Sequence, residues 1–250
     1  MSNHWVYSVD RGVILEQVYL PGGHGDKEGR SVVERGEPMD EAWDRPPEGR
    51  GDPRESRRVK ATPEEVLAFW FGREGEEGYG EFREAWFSRD PDFDREVRDR
   101  FEDVYEGAVA GEFEAWKGEA RSCLALILVL DQFPRNMFRG DERMYAADRL
   151  ALAAARHAVE QAYDRELPPF QRMFVYLPFE HSENLEDQRF SVELFRRLAE
   201  ETGSEDLVVY AVRHLQMIER FGRFPHRNEV LGRRTTPEEA KFLEEPGSSF

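Results

Sequence analysis

Apolar residues recur every three or four positions through most of the chain after residue 60, and Gly or Pro separates one such stretch from the next. Residues 93–108 give one example, in which the apolar positions are Phe93, Val97, Phe101, Val104, Tyr105 and Ala108. This spacing places the apolar side chains on one side of an amphipathic helix. The sequence therefore predicts an all-α fold, an array of roughly eight antiparallel helices with no strand after residue 60.

Two predicted helices begin with the same four residues, Thr-Pro-Glu-Glu, at Thr62–Glu65 and at Thr236–Glu239. Thr is a favoured N-cap, Pro is tolerated at the first helical position, and Glu at the third completes a capping box. A further helix is predicted to begin at Asn184, which can cap it in the same way. These patterns define three helix starts.

Proline also marks two predicted helix ends. A central helix within residues 120–132 is expected to end at Phe133, because the residue before a proline disfavours α geometry and Pro134 follows. The helix that begins at Pro168-Pro169 is expected to break at Pro178 for the same reason.

The first 60 residues differ from the rest of the chain. Residues 5–9 and 13–19 are β-prone and are joined by a short turn, which predicts one hairpin. Residues 46–53 are rich in Pro, Gly and charge, which is typical of a linker. We therefore expect an N-terminal extension at residues 1–60, mostly disordered apart from the hairpin, and an all-α domain at residues 61–250.

The charge balance limits the classes of partner. The formal net charge is −17, which opposes nucleic-acid binding and docking on anionic lipid. The sequence contains no apolar window long enough for a membrane span and no signal-peptide pattern, so we expect a cytoplasmic protein. The acidic composition fits either a salt-adapted cytoplasm or a codon bias toward Arg, and both interpretations stay open.

A short phrase occurs twice, at residues 131–140 and 222–232. Each copy has Phe-Pro, then Arg-Asn, then Gly, and the second inserts a His. Arginine offers a planar fork of donors that suits carboxylate or phosphate, and asparagine can orient a ligand. The candidate ligand-binding residues are Asp131, Arg135, Asn136, Arg227 and Asn228. A structural role is also open: Asp131 can pair with Arg135, and Arg or Asn can satisfy the last carbonyls of a helix.

Histidines supply the candidate catalytic groups. His181 lies in Glu180-His181-Ser182-Glu183, where either glutamate can hold its ring in one tautomer. The candidates for acid–base chemistry are His181, Glu183, His214 and His226. His214 is predicted to face inward, where it either donates to a backbone carbonyl or projects into a cavity. No metal site or cofactor is expected, because His pairs at i,i+4 spacing and Cys clusters are absent from the sequence.

Three blocks, at residues 130–136, 176–183 and 220–228, carry a resemblance to a known family. From Thr62 to the C-terminus the chain resembles the bacterial family catalogued as domain of unknown function 924. The resemblance implies a helical array similar to tetratricopeptide repeats, and it implies no activity. The chain itself lacks the tetratricopeptide signature at its usual spacing.

Two functional hypotheses follow, and the sequence leaves open whether the protein is an enzyme. In the first, the blocks meet in one pocket that binds a small anionic ligand and supports acid–base hydrolysis. In the second, the chain is a non-catalytic helical-repeat scaffold for a protein partner. The blocks can also serve the fold alone.

Overall fold

The computed structural model describes residues 61–80, 83–245 and 248. These residues form α1 (Pro63–Phe71), α2 (Pro91–Val109), α3 (Ala120–Met137), α4 (Asp148–Glu160), α5 (Pro169–Glu180), α6 (Leu185–Thr202), α7 (Asp206–Phe221) and α8 (Pro237–Leu243). No strand occurs among them, which confirms the predicted all-α class. The predicted hairpin and linker of residues 1–60 lie outside the described residues.

The predicted helix starts are confirmed. Thr62 caps α1: its hydroxyl accepts from the Glu65 amide at 3.3 Å, and the Glu65 carboxylate accepts from the Thr62 amide at 2.8 Å. Thr236 and Glu239 form the same capping box at α8. The Asn184 side chain caps α6 and accepts from the first free amides of that helix. Each cap satisfies amides that have no partner inside the helix.

Both predicted helix ends are wrong. α3 continues through Pro134 to Met137, and α5 continues through Pro178 to Glu180. A proline removes one hydrogen bond to the preceding turn, and here each proline lies in the last turn of its helix. The residues before the two prolines, Phe133 and Leu177, are buried, so their packing outweighs the local preference. The first Arg-Asn pair therefore lies on a helix and not on a turn.

Consecutive helices pack against one another along the array from α2 to α7, and α3 also contacts α1 and α5. Residues 123–130 of α3 are at most 3% exposed, as expected for a helix that is apolar on every side and surrounded by others. On α4 the buried positions are alanines, among them Ala151 and Ala154. Because alanine lets helix backbones approach closely, α4 packs tightly on α3, and its first residue, Asp148, lies near the last turn of α3.

The segment after α7 brings the second phrase toward the first. Gly222 ends α7 in the left-handed region, with φ of +68°. Phe224 is fully buried in a small apolar cluster with Met217 and Ile218. A short 3-10 turn at Pro225–Arg227 follows. Within the described ranges, none of the helices is long and apolar enough to cross a membrane.

Candidate functional site

The two repeated phrases meet at one carboxylate. Arg135 in the last turn of α3 places Nη2 3.0 Å from Oδ1 of Asp148, and Arg227 on the 3-10 turn places Nη1 3.1 Å from its Oδ2. The guanidinium of Arg135 lies 5.8 Å, and that of Arg227 4.5 Å, from the ring centre of Tyr145. The two arginines therefore share a carboxylate and an aromatic ring, although they are far apart in the sequence.

Behind the arginines, Asp131 is fully buried and orients His181. Its Oδ1 lies 2.8 Å from Nδ1 of His181, and Gln132 donates to Oδ2 at 2.6 Å. Arg135 Nη1 lies 3.3 Å from the same Oδ1, as the i,i+4 spacing predicts, and donates to the Asp131 carbonyl at 2.6 Å. Burial acts to raise the pKa of Asp131, but the charge of Arg135 and the bond to His181 outweigh it and hold that pKa below its usual range.

This pairing fixes the state of the His181 ring. Because Asp131 is a carboxylate, Nδ1 of His181 carries the hydrogen and Nε2 presents a lone pair. Nε2 makes no hydrogen bond to any described residue, and the side chain keeps 15% of its surface exposed. Burial, then the charge of Arg135, lowers the pKa of His181, so the ring is neutral at pH 7. The prediction that Glu180 or Glu183 holds this tautomer is wrong, because Asp131 from α3 does so.

A second carboxyl–imidazole pair lies deeper in the fold. Oε1 of Glu180 is 3.1 Å from Nδ1 of His214, and that nitrogen is also 3.0 Å from the carbonyl of Tyr210. Burial, with the charge of Asp131 adding to it, raises the pKa of Glu180 to about 8. Burial also lowers the pKa of His214 well below its usual value. Burial therefore favours the uncharged form of both Glu180 and His214.

Glu183 anchors the C-terminal segment. Its carboxylate forms a two-pronged ion pair with Arg233, with distances of 2.8 and 3.0 Å, and it accepts from the Phe224 amide at 2.8 Å. Burial acts to raise the pKa of Glu183, but Arg233 and the amide outweigh it, so the pKa lies below its usual value. The low pKa favours the carboxylate form of Glu183, and its contacts with Arg233 and the Phe224 amide hold the end of α5 against the second phrase.

The remaining predicted residues have other neighbours. Asn136 donates to Asp94 of α2 at 2.9 Å, and Asn228 donates to Glu239 of α8 at 3.3 Å. His226 packs on Phe224, with ring centres 5.6 Å apart. Burial, then the charge of Arg227, lowers the pKa of His226 to about 3. The two asparagines thus contact carboxylates of other helices, and the prediction that they satisfy the last carbonyls of their own helices is wrong.

A cleft of about 510 Å³ opens above the Asp131–His181 pair. We call it the Arg227 cleft; it is lined by Glu142, Arg143, Tyr145, Ala146, Asp148, Arg149, Leu152, Pro178, His181, Ser182, Glu183, Arg227 and Leu231. Of the nine predicted site residues, His181, Glu183 and Arg227 line it. Asp131 and Arg135 contact the lining residues His181 and Asp148, whereas Asn136, His214, His226 and Asn228 do not line it.

Sequence reasoning missed two residues of this site, Tyr145 and Asp148. Asp148 is the first residue of α4, where an acidic residue is commonplace, and Tyr145 lies in a short 3-10 turn. No motif distinguishes either of them. Over residues 61–80, 83–245 and 248, no group of three His, Cys, Asp or Glu side chains is placed to hold a metal ion.

Comparisons with known proteins support the family resemblance that the three sequence blocks carry. No curated protein matches the chain. The solved structure of a protein of unknown function from Agrobacterium tumefaciens is 39% identical, covers 73% of this chain and 96% of its own, and superposes with a TM-score of 0.64. The family described as "Bacterial protein of unknown function (DUF924)" matches residues 66–247. The chain belongs to this bacterial family, as the three blocks predicted.

Proposed function

We propose that the protein binds a small anionic ligand at Arg227 and hydrolyses it with His181 as the general base. The observation that carries the proposal is the Asp131–His181 hydrogen bond of 2.8 Å beneath a cleft that Arg227 also lines. The carboxylate sets the tautomer, and the neutral ring offers Nε2 as a proton acceptor. Aspartate-oriented histidines of this kind act as general bases in many hydrolases.

Arg227 supplies the binding group. Only 6% of it is exposed, and its Nε is buried without a hydrogen-bond partner. Such an atom is costly to leave unpaired, so an acceptor on a ligand would stabilise it. The charged lining of the cleft is balanced: Arg143, Arg149 and Arg227 against Glu142, Asp148 and Glu183. In a chain of net charge −17, this balance reduces the repulsion that an anion meets.

The proposed reaction is a general-base hydrolysis. Nε2 of His181 takes a proton from a water molecule while the water oxygen bonds to the electrophilic carbon of the ligand. The bond to the leaving group then breaks, and His181 returns the proton to that group. Asp131 stabilises the imidazolium between the two steps. Ser182 is not the nucleophile in this scheme, because its hydroxyl donates to Asp187 at 2.8 Å.

Two esters test the proposal. The mono-para-nitrophenyl ester of glutaric acid keeps one free carboxylate, whereas para-nitrophenyl butanoate carries none. We expect the wild-type protein to hydrolyse the charged ester with the higher kcat/KM. His181→Asn keeps a donor near Nδ1 but lacks Nε2, so it should lower kcat roughly a hundredfold or more. Undiminished kcat in His181→Asn, or no hydrolysis by the wild type, would contradict the reaction.

The scaffold hypothesis has weaker support. A groove of about 360 Å³ lies between α6 and α7, outside the three blocks, and Phe190 is its one aromatic lining residue. A partner-binding surface of a helical array usually presents several aromatic or long apolar anchors. Capture of a partner that Phe190→Ala releases and His181→Asn retains would favour the scaffold over the hydrolase.

A further inference from the structure

We infer that the ligand of the Arg227 cleft is a monocarboxylate with an apolar body several carbons long. The inference rests on the proposed anion site and adds the charge, shape and apolar character of what binds there. It follows from three properties of the cleft: the free edge of one guanidinium, the carboxylates already present, and the apolar wall.

The first property is the edge of Arg227 that remains unused. Nη1 is bound to Asp148, and the centre of the guanidinium lies 4.5 Å from the ring centre of Tyr145 and 4.4 Å from that of Phe224. The edge formed by Nε and Nη2 has no hydrogen-bond partner among the described residues. Two parallel N–H groups on one edge match the two oxygens of a carboxylate. The rings and Asp148 hold this edge in place before a ligand arrives.

The second property limits the ligand to one negative charge. Asp148 and Glu183 line the same cleft and are both ionised, the first between two arginines and the second on Arg233. A dianion such as a phosphate monoester would bring a second charge close to these carboxylates, and the other cations of the lining, Arg143 and Arg149, are exposed, so solvent screens their attraction. A monocarboxylate adds a single charge opposite a single free edge.

The third property is the wall of the cleft. Ala146, Leu152, Pro178 and Leu231 line it together with the Tyr145 ring. A volume of about 510 Å³ lies within the range of sites for small organic ligands and exceeds what a bare anion fills. Burying methylene groups against such a wall is favourable. The carboxylate end would therefore meet Arg227 while the chain or ring of the ligand covers the apolar side chains.

Calorimetric titration of the full chain at pH 7.5 tests the inference, with acetate, butanoate, hexanoate and hexyl phosphate as probes. We expect the dissociation constant to fall by about three- to fourfold for each added CH₂, and therefore by about a hundredfold over the four CH₂ groups that separate acetate from hexanoate. Hexyl phosphate should bind no more tightly than hexanoate. Equal affinity for acetate and hexanoate overturns the apolar body, and tighter binding of hexyl phosphate overturns the single charge.

Three variants separate the carboxylate from the body. Leu231→Ala should weaken hexanoate about fivefold or more and leave acetate unchanged, whereas Leu150→Ala, on an exposed leucine outside the cleft lining, should change neither. Arg227→Lys loses the planar edge and should weaken both carboxylates about tenfold or more. Equal hexanoate affinity in Leu231→Ala and Leu150→Ala contradicts the inference.

The outcomes also distinguish this inference from the proposed function. If all four probes bind through Arg227 with one affinity, the ligand class fails and the anion site survives. If no carboxylate binds the wild type, both fail. If hexanoate binds as expected but His181→Asn hydrolyses the ester as fast as the wild type, the ligand class stands and the reaction fails.

Discussion

Two carboxyl–imidazole pairs lie at the same end of α5, and they differ in charge. In the first, Asp131 faces His181; in the second, Glu180 faces His214. The residues Glu180 and His181 are adjacent in the chain, yet one belongs to each pair. The pKa of Asp131 lies below its usual range, whereas that of Glu180 is raised to about 8.

The difference comes from the neighbours. Arg135 lies 3.3 Å from the Asp131 carboxylate and compensates its charge. Among the described residues, no cation lowers the pKa of Glu180, and burial and the charge of Asp131 both raise it. The first pair is thus a carboxylate with a neutral ring that reaches the cleft, and the second is an acid with a neutral ring inside the core. The charge of one guanidinium therefore favours the ionised form of the first carboxyl group, whereas burial favours the protonated form of the second.

Removing the charge of Asp131 should have the largest effect on stability. Asp131→Asn leaves Arg135 with an uncompensated part of its buried charge and replaces the carboxylate that faces His181 with a neutral amide. We expect a loss of about 3–5 kcal/mol in the free energy of unfolding, as when one partner of a buried ion pair is deleted. Urea unfolding at pH 7 measures it, with Asp99→Asn on the exposed side of α2 as the control. A loss equal to that of the control would mean that Asp131 is not charged in the folded protein.

Glu180→Gln tests the second pair through the pH dependence of stability. The pKa of Glu180 rises from 4.5 to about 8 on folding, so between these values the folded protein retains a proton that the unfolded chain releases. This group therefore makes the wild type less stable as the pH rises from 4.5 to 8, with a slope of at most about 1.4 kcal/mol per pH unit. Glutamine cannot ionise, so the variant does not become less stable through this group as the pH rises.

The measurement is the difference in unfolding free energy between Glu180→Gln and the wild type from pH 5 to 8. We expect it to move in favour of the variant as the pH rises, because the histidines titrate alike in both proteins and cancel. Glu96→Gln, an exposed position on α2, should show no such trend. Parallel curves for Glu180→Gln and the wild type would show that Glu180 is ionised in the folded state.

Arg135→Lys should make Asp131 easier to protonate, and the first pair would then resemble the second. Lysine keeps a positive charge but loses the planar fork that reaches Asp131 and Asp148 together. We expect a loss of about 1–2 kcal/mol in unfolding free energy and a shift of the acid-unfolding midpoint to higher pH, because Asp131 becomes easier to protonate. Acid titration followed by circular dichroism measures the shift. An unchanged midpoint would assign the low pKa of Asp131 to its other partners.

Whether the sequence predicts a contact of this site depends on how far apart the two residues lie along the chain. The caps at Thr62, Asn184 and Thr236 and the pairing of Asp131 with Arg135 are local, and simple spacing rules predicted them. The helix ends at the two prolines were predicted wrongly, because burial of the flanking apolar residues outweighs a local backbone preference. Local rules therefore succeed where no distant contact competes with them.

The partners of His181 and Arg227 are the part that spacing could not predict. Glu180 and Glu183 are the nearest carboxylates in sequence, but a helical turn points neighbouring residues in different directions. Glu180 consequently reaches His214, Glu183 reaches Arg233, and Asp131 of another helix reaches His181. The repeated phrase correctly suggested that its two arginines meet, but not that Asp148 joins them.

The smallest effect on stability is expected for substitutions of His181. They test the tautomer of its ring, on which the proposed proton transfer depends. In ¹⁵N-correlated spectra of the wild type at pH 7, His181 should show a hydrogen on Nδ1 and none on Nε2, and its pKa should lie below 6.5. His181→Asn keeps a donor for Asp131, so we expect it to change the unfolding free energy by no more than about 1 kcal/mol. In His181→Gln the longer side chain extends toward the cleft and no longer donates to Asp131. This variant should therefore be less stable than His181→Asn. A hydrogen on Nε2, or greater stability of the glutamine variant, would mean that Asp131 does not orient the ring and that the two pairs are alike.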